Sequence, residues 1–236
     1  EAPHYPYQGP NAKPLRVVGK ARTKNELRMS QAQKKRAYRE MVEEMDKSIG
    51  KVLATLKKHD LEKNTLVLFF SDNGATRLGS NGKLRGNKGS VWEGGHRVPA
   101  IARWPGRIKP GSVSDQLTIS LDVMPTLLSL AKVPLPKGHQ LDGRDLSGTL
   151  LQTEKNRSRQ LFWQHGKSVA MRDGTWKLTM GNRGQKRAFL CDLAKDVGEQ
   201  TNLAKQHPER VEAMQKAIRE WQVEMKKTAT PQPLKK

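Results

Sequence analysis

The sequence has a single cysteine, Cys191, among its 236 residues. One cysteine cannot form a disulfide within the chain, and it cannot supply a zinc site built from several thiolates. It lies in the run Phe189-Leu190-Cys191-Asp192-Leu193, so we expect a small buried residue in a strand. Internal disulfides and cysteine-based metal centres are therefore excluded.

Long hydrophobic runs are missing as well. No apolar stretch approaches the ~20 residues that a membrane-spanning helix requires. The first residues, Glu1-Ala2-Pro3-His4, contain neither the charged nor the apolar region of a secretory signal. Hydrophobic residues make up 35% of the chain and charged residues 28%, the proportions of a soluble globular protein. We therefore expect no membrane span, while the oligomeric state is not indicated.

The common catalytic motifs are also absent. Neither Lys83 nor Lys88 lies in the Gly-x-x-x-x-Gly-Lys-Ser/Thr pattern of a Walker loop. The sequence contains no Gly-x-Ser-x-Gly elbow, no His-Glu-x-x-His zinc motif and no Gly-x-Gly-x-x-Gly after a strand. A nucleotide-binding Walker loop is therefore excluded.

Positive charge is present in large excess: 44 lysines and arginines against 23 acidic residues give a net charge of +21. This charge predicts attraction to polyanions such as nucleic acid, acidic lipid or sulfated sugar. The basic residues extend from Lys13 to Lys236 and alternate with acidic ones, so most are expected on solvated helix faces. We expect no specific nucleic-acid binding. A non-catalytic, basic polyanion-binding protein remains an alternative.

A helix followed by a strand predicts α/β architecture. Residues 1–36 are polar, basic and interrupted by prolines, which predicts a long loop leading into a helix. Leu66–Phe70 is apolar without alternation, which predicts a strand buried on both faces, as in a parallel sheet covered by helices. The helix is indicated by apolar residues at three- and four-residue steps: Tyr38, Met41, Val42, Met45, Ile49, Val52, Leu53 and Leu56.

Two further elements are predicted before residue 150. Val98–Trp104 favours a short strand that ends at Pro105-Gly106. Asp122 can cap a helix with Pro125 in its first turn. The buried side of this helix is expected to contain Leu127, Leu128 and Leu130.

The pattern then changes to short strands. Segments 161–164, 168–171, 175–178 and 187–193 are strand-like, and Asp173-Gly174 is a hairpin signal. Pro208 opens a last helix, so we expect a small antiparallel sheet covered by this C-terminal helix. Its apolar stripe contains Val211, Met214, Ile218, Trp221 and Met225. Domain boundaries are placed at 1–150 and 151–227, with a disordered tail at 228–236.

The chemistry is concentrated after the strand at Leu66–Phe70, where Ser71-Asp72-Asn73-Gly74 is followed by a loop rich in glycine, asparagine and lysine. Ligands of open α/β sheets lie beyond the carboxyl ends of such strands. Asp72 and Asn73 offer oxygens suited to a hard divalent cation, and Lys88 offers a positive charge for an anion. Asn-Gly is also a favoured turn dipeptide, so a plain turn remains open.

Over nearly its whole length the sequence resembles the C-terminal half of a sulfatase of the alkaline phosphatase superfamily. The resemblance implies part of an alkaline-phosphatase-like mixed sheet flanked by helices over 1–150, followed by the small subdomain. It rests on segments that occur in the family's order: Ala2-Pro3-His4 with Pro6, the helix at 38–56, the strand ending in Ser71-Asp72-Asn73-Gly74, Gly86-Asn87-Lys88 through Glu93-Gly94-Gly95-His96-Arg97-Val98-Pro99, Trp104-Pro105-Gly106, Asp122-Val123-Met124-Pro125-Thr126-Leu127, Leu141-Asp142-Gly143-Arg144, and 192–203.

The resemblance implies roles for four residues. Asp72 and Asn73 would be Ca²⁺ ligands, and Lys88 would bind a sulfate oxygen. His4 would contact the sulfate and protonate the departing alcohol oxygen. Sulfate ester cleavage builds charge on these oxygens, so a dication, a lysine and an imidazole suit the transition state. Arg85 and His96 are near enough in sequence to contribute to substrate recognition.

The family pattern is incomplete. Sulfatases use a formylglycine made in a Cys/Ser-x-Pro-x-Arg motif, and neither that motif nor the N-terminal aspartates of the calcium site occur here. We therefore expect a fragment that is inactive alone, marginally stable or aggregation-prone because of exposed strand edges. The resemblance implies that the parent protein cleaves aryl or carbohydrate sulfate esters, and a sulfated glycan is one such substrate. A phosphodiesterase or phosphonate hydrolase of the same superfamily is the near alternative. A periplasmic, extracellular or lysosomal location is implied by the resemblance.

Overall fold

The computed structural model describes residues 30–76, 78–135, 137–181 and 187–228. Residues 1–29 of the predicted N-terminal loop, with His4, and residues 229–236 of the predicted tail lie outside these residues. The predictions fail at 31–36 and at Thr228, which are helical because the two helices extend further than their apolar stripes. The helices are α1 (Gln31–Lys58), α2 (Glu93–His96), α3 (Val123–Ala131), α4 (Ser147–Leu150) and α5 (Pro208–Thr228), with 3₁₀ turns at Glu62–Asn64 and Ser120–Asp122. The strands are β1 (Val67–Phe70), β2 (Ala100–Arg103), β3 (Gln160–His165), β4 (Ser168–Asp173), β5 (Trp176–Met180) and β6 (Phe189–Asp192).

The chain divides into two compact units. Of the described residues, the first unit contains those up to Phe69, together with those in Thr76–Ser80 and Ile101–Pro110. The second contains Phe70–Ala75, Asn81–Ala100 and the described residues from Gly111 onward. The predicted boundary at residue 150 stays a prediction.

The first unit is built from α1 and the strand segments that follow it. The helix begins with a capping box, in which the Gln33 amide donates to Ser30 Oγ and the Ser30 amide donates to Gln33 Oε1. After the helix, Arg103 donates to Glu62 Oε1 at 2.7 Å. The predicted amphipathic helix is confirmed, and it extends beyond the predicted range at both ends.

The prediction that β1 is buried on both faces is wrong. β1 pairs with β2 in a sheet of two strands, and Phe69 and Phe70 remain 36% and 41% exposed. Within the described residues, β1 therefore lacks the flanking strands and covering layers of a central strand. The predicted second strand is confirmed as β2.

Asp122 does not cap α3 with its side chain, contrary to the prediction. Its carboxylate instead accepts from the backbone amides of Ile119 and Arg144, at 2.8 Å each, and from the buried Arg159 guanidinium at 2.6 Å. The buried side of the helix also differs, because Leu127 is exposed and Thr126 is buried. Thr126 Oγ1 donates to the Asp122 carbonyl. Leu128 and Leu130 are half-buried, so the expected leucine face is present only in part and a buried polar cluster lies beside it.

The C-terminal part forms the predicted antiparallel sheet, in the order β3-β4-β5-β6. Asp173 pairs with Trp176 across a two-residue turn, in which Gly174 has a φ of +58° that suits glycine. α5 covers one face of the sheet, as predicted, although Met225 at its end is 38% exposed. The core between helix and sheet contains Val169, Met171, Leu178, Leu190, Met214 and Ile218.

The opposite face of the sheet is covered too, by residues of the loop that carries Lys88. Side chains alternate along a strand, so Phe189 and Cys191 point away from the helix and pack with Trp92 and Leu193. The rings of Trp92 and Phe189 meet edge to face, with centroids 5.1 Å apart. Cys191 is fully buried in β6, as predicted. Burial raises the pKa of its thiol to about 12, so it is inert as a nucleophile.

Candidate active site

The segment that carries Asp72 and Asn73 is joined to the segment that carries Lys88 through backbone hydrogen bonds. The Gly74 amide donates to the Gly95 carbonyl at 2.9 Å, and the Lys88 amide donates to the Ala75 carbonyl at 3.0 Å. These bonds fix where the main chain of one segment lies relative to the other. The fold therefore brings together two of the segments that sequence reasoning selected.

Glycines allow this close approach of two backbones. A Cβ atom at Gly74 would lie 1.8 Å from the Gly94 carbonyl oxygen, and one at Gly95 would lie 2.0 Å from the Ser90 carbonyl oxygen. Gly94 is equally confined, because its Cβ would lie 2.5 Å from the Gly86 carbonyl oxygen. In each case the obstacle is main chain rather than a flexible side chain. A side chain at Gly74 would have to push the two segments apart, whereas one at Gly94 or Gly95 would disturb the fold of the Lys88 segment itself.

Gly74→Ala is expected to separate the Asp72 segment from the Lys88 segment. The new methyl group has to displace the Gly94 carbonyl, which breaks the bond from the Gly74 amide to Gly95 and costs about 1–3 kcal/mol, as overpacking does. Urea unfolding measures the loss of stability, and amide hydrogen exchange at Lys88 measures the opening. Gly50→Ala is the matched control, because a Cβ at Gly50 meets nothing within 4 Å. An unchanged exchange rate at Lys88 would contradict the prediction.

The predicted site side chains face solvent to different degrees. Asp72 and Lys88 are exposed, and Asn73 is half-buried. The Ser71 hydroxyl donates to the Asn73 carbonyl at 2.9 Å, which stabilises the turn after β1. Within the described residues, the Asp72 carboxylate and the Asn73 side-chain amide make no hydrogen bond or ion pair, so their oxygens can accept a ligand. His4 lies outside the described residues.

A buried ionic cluster, formed by Glu93, Lys177 and Glu199, lies behind the Lys88 segment. All three side chains have no exposed surface. Lys177 Nζ lies 2.9 Å from Glu93 Oε1 and 3.1 Å from Glu199 Oε1. The Glu93 amide also donates to Glu199 Oε2 at 2.7 Å. One lysine of β5 therefore links α2 to the loop after β6.

The pKa values of the two carboxyl groups of this cluster are shifted in opposite directions. Burial alone would raise the pKa of Glu93, but the charge and hydrogen bond of Lys177 outweigh it and lower that pKa below its usual value. For Glu199 burial prevails over the attraction of Lys177, and its pKa is raised. Arg172 and Arg97 also lie beside Glu93 Oε2, at 3.3 and 3.4 Å. Glu93 is thus the carboxylate that the cluster keeps charged.

His96 extends the cluster toward β3. Its Nε2 atom lies 3.2 Å from Lys177 Nζ, and its ring stacks on Trp163 with centroids 4.2 Å apart. Nε2 also lies 3.3 Å from the Val91 carbonyl oxygen, so it can accept from the ammonium group in one tautomer or donate to that carbonyl in the other. Burial and the Lys177 charge lower the pKa of His96 to about 4. His96 is therefore held neutral inside the fold, and its predicted part in substrate recognition stays a prediction.

Arg85 is likewise held within the fold. Its guanidinium donates to the Glu199 carbonyl at 2.7 Å and lies 3.9 Å from the centroid of the Trp92 ring. A cation over an indole face is attracted by the ring's quadrupole. The bond from Arg85 to the Glu199 carbonyl joins the Lys88 loop to the segment after β6. A direct role of Arg85 in substrate binding stays a prediction.

Sequence reasoning missed Lys177 and Glu199. The alternation of β5 places Lys177 on the face opposite Leu178, and in a small sheet with one helix that face is normally solvated. A lysine there suggests solvent rather than a buried partner. Nothing in the sequence around Lys177 or Glu199 indicates that Glu93 packs on this face of the sheet. Neither residue could therefore be recognised as part of a buried cluster.

The chain resembles known sulfatases in sequence and in structure. Residues 1–133 match the Sulfatase family, and residues 86–228 match the C-terminal domain of N-sulphoglucosamine sulphohydrolase. Steryl-sulfatase of Rattus norvegicus is 48% identical over 125 residues, which cover 49% of this chain and 22% of that protein. Arylsulfatase A of Homo sapiens is 37% identical over 191 residues, covering 68% of this chain and 37% of that protein.

Solved structures support the same relationship. The crystal structure of Ps i-CgsB in complex with k-i-k-neocarrahexaose is 28% identical, with a TM-score of 0.73, and the match covers 83% of this chain and 44% of that one. This chain thus spans less than half the length of each of these relatives. Their fold is alkaline-phosphatase-like, and the mixed α/β fold with its small antiparallel sheet agrees with it. With more than half of its residues matched, the chain belongs to the sulfatase family.

Proposed function

We propose that this chain carries half of a sulfatase active site and that the whole protein hydrolyses sulfate esters. The observation that carries the proposal is the backbone docking of the Asp72-Asn73 segment onto the Lys88 segment. It places two oxygen donors and an ammonium group on neighbouring stretches of main chain. The ammonium group suits an anionic sulfate oxygen, and the two oxygen donors suit a cation that would neutralise the sulfate charge. Family membership favours this function over the phosphodiesterase alternative.

Two side chains are assigned to the reacting group itself. The Lys88 ammonium binds a non-bridging sulfate oxygen and stabilises the charge that develops there as the sulfur–oxygen bond to the alcohol breaks. His4 contacts the sulfate and gives a proton to the departing alcohol oxygen. Water supplies the remaining atoms, so the products are the free alcohol and inorganic sulfate.

Asp72 and Asn73 are proposed as Ca²⁺ ligands. Their oxygens are the hard donors that calcium prefers, and neither side chain is occupied by another described residue. Calcium takes about 6–8 oxygen ligands, so two residues make only part of a site. The described part of the chain holds no group of three or more His, Cys, Asp or Glu side chains placed for a metal. When bound, calcium would neutralise charge on the sulfate oxygens.

The nucleophile is not assigned to any residue of this sequence. A formylglycine is expected in a Cys/Ser-x-Pro-x-Arg segment, which this sequence does not contain. Cys191 is no substitute, because it is fully buried. We therefore propose that this chain alone does not turn over sulfate esters.

A sulfated glycan is the proposed substrate class. The net charge of +21 favours a polyanion, and a relative 28% identical was crystallised with a neocarrahexaose. No helix in the described ranges is long and apolar enough to cross a membrane. Residence in the periplasm, outside the cell or in the lysosome is proposed on family membership alone.

The test is to complete the enzyme and remove Lys88. The chain is expressed with the N-terminal half of a sulfatase and a formylglycine-generating enzyme, and hydrolysis of an aryl sulfate and an aryl phosphate diester is followed. Sulfate turnover is expected to exceed diester turnover. Lys88→Ala is expected to lower kcat by about 10²–10³, the effect of removing one charge-stabilising donor.

Lys83→Ala is the matched control, because Lys83 is an exposed lysine of the same loop. Its kcat is expected to stay within twofold of the parent. Sulfate turnover that does not depend on Lys88, or none after chain completion, would refute the proposed role of this segment. Faster turnover of the diester would favour the alternative function.

A further inference from the structure

Strand β3 is one of the strands of the C-terminal sheet whose side chains contact the segment that contains Lys88 and α2. Trp163 of this strand stacks on His96 of α2, with the ring planes 17° apart. Phe162, the preceding residue, stacks on Trp221 of α5 with centroids 5.2 Å apart. Since neighbouring side chains of a strand point to opposite faces, the helix lies on the Phe162 face and the Lys88 loop on the Trp163 face.

His165 is the next residue of β3 on the Trp163 face. Its Cε1 atom lies 3.9 Å from the position that a Cβ atom would take on Gly89. Gly89 has a φ of +85° and no side chain, so nothing of that residue shields the imidazole from the main chain. The imidazole of β3 therefore lies beside the residue that follows Lys88.

The His165 imidazole is exposed. Within the described residues, no hydrogen bond or ion pair engages its ring nitrogens. His96, by contrast, is held by Lys177 and Trp163. Unlike His96, His165 thus has ring nitrogens that no described residue engages.

We infer that His165 is a specificity-determining residue whose imidazole contacts the alcohol part of a sulfate ester held at Lys88. The inference rests on the proposed function. A sulfate bound by Lys88 directs its ester oxygen, and the sugar attached to it, along the exposed surface of the same loop. A neutral imidazole has one donor and one acceptor, which match the hydroxyl groups of a sugar. Inorganic sulfate has no such groups and gains nothing from His165.

The experiment compares two probes on the full chain: inorganic sulfate and glucose 6-sulfate. NMR titration follows the Lys88 and Gly89 amides and the Cε1 proton of His165. Both probes are expected to shift the two amides, whereas only the sugar sulfate shifts the His165 proton. His165→Ala is expected to lower the affinity for the sugar sulfate about three- to tenfold, the effect of losing one hydrogen bond. The affinity for inorganic sulfate is expected to stay unchanged.

His139→Ala is the control, because His139 is an exposed histidine of the loop after α3. Its affinities for both probes are expected to equal those of the parent chain. If the sugar sulfate shifts the Lys88 amide but binds His165→Ala as tightly as the parent chain, the inference is wrong. The proposed function would still stand. If neither probe shifts the Lys88 amide, the proposed anion site fails, and the inference fails with it.

Discussion

Lys177→Met is expected to destabilise the chain by about 3–5 kcal/mol, the usual cost of removing one partner of a buried ion pair. Methionine preserves much of the side-chain volume, so the loss reports the missing charge rather than a cavity. Glu93 keeps Arg172 and Arg97 beside it. Glu199 loses the one side-chain cation that it contacts among the described residues. The mutation therefore acts mainly through an unpaired Glu199 carboxylate.

Urea unfolding followed by tryptophan fluorescence measures this loss. Lys167→Met is the matched control, since Lys167 is exposed in the turn between β3 and β4, and surface changes usually stay within about 0.5 kcal/mol. If Lys177→Met has no cooperative transition, hydrogen exchange at the Leu178 and Leu190 amides reports the opening instead. Adding Glu199→Gln should restore part of the stability, because it removes the unpaired charge. A cost below about 1 kcal/mol would show that Lys177 contributes little.

Much of the fold could be predicted because local patterns determine it. The spacing of apolar residues in α1 and α5 and the turn at Asp173-Gly174 depend on neighbours in sequence, and the elements form as expected. The predictions that failed depend on distant partners. Burial of Phe69 and Phe70 needs further layers over β1, and nothing within Leu66–Phe70 specifies them.

The candidate site likewise combines features that depend on local sequence with features that depend on distant contacts. The Ser71–Gly74 run and Lys88 could be selected from sequence because residue type and position after a strand carry chemical meaning. Their backbone contact depends on Gly74 facing Gly94, a pairing across the chain that no spacing rule supplies. Asp122 shows the same limit: its carboxylate serves Arg159, 37 residues away, rather than the helix that it precedes. The candidate reacting groups could therefore be predicted from the sequence, whereas the long-range contacts that hold their segments in place could not.

The buried cluster also predicts a response to pH, through His96. Its pKa is about 4 in the folded chain, against an ordinary value of 6.5. Between these values the unfolded chain binds a proton that the folded chain does not, so stability falls as the pH is lowered. The lowered pKa of Glu93 acts in the same direction below its own ordinary value. The raised pKa of Glu199 acts oppositely: its contribution is present at low pH and lost as pH rises.

His96→Gln separates the histidine from the two carboxyl groups. Lowering the pH from 7 to 5 is expected to cost the parent chain about 2 kcal/mol through His96, at 1.36 kcal/mol per pH unit below its unfolded pKa. Glutamine can still accept from Lys177 but binds no proton, so the variant should lose about 2 kcal/mol less over this range. Urea unfolding at both pH values gives the difference. His139→Gln, at an exposed position, should behave as the parent. Equal pH dependence in His96→Gln and the parent would mean that burial and the Lys177 charge do not hold His96 neutral in the folded chain.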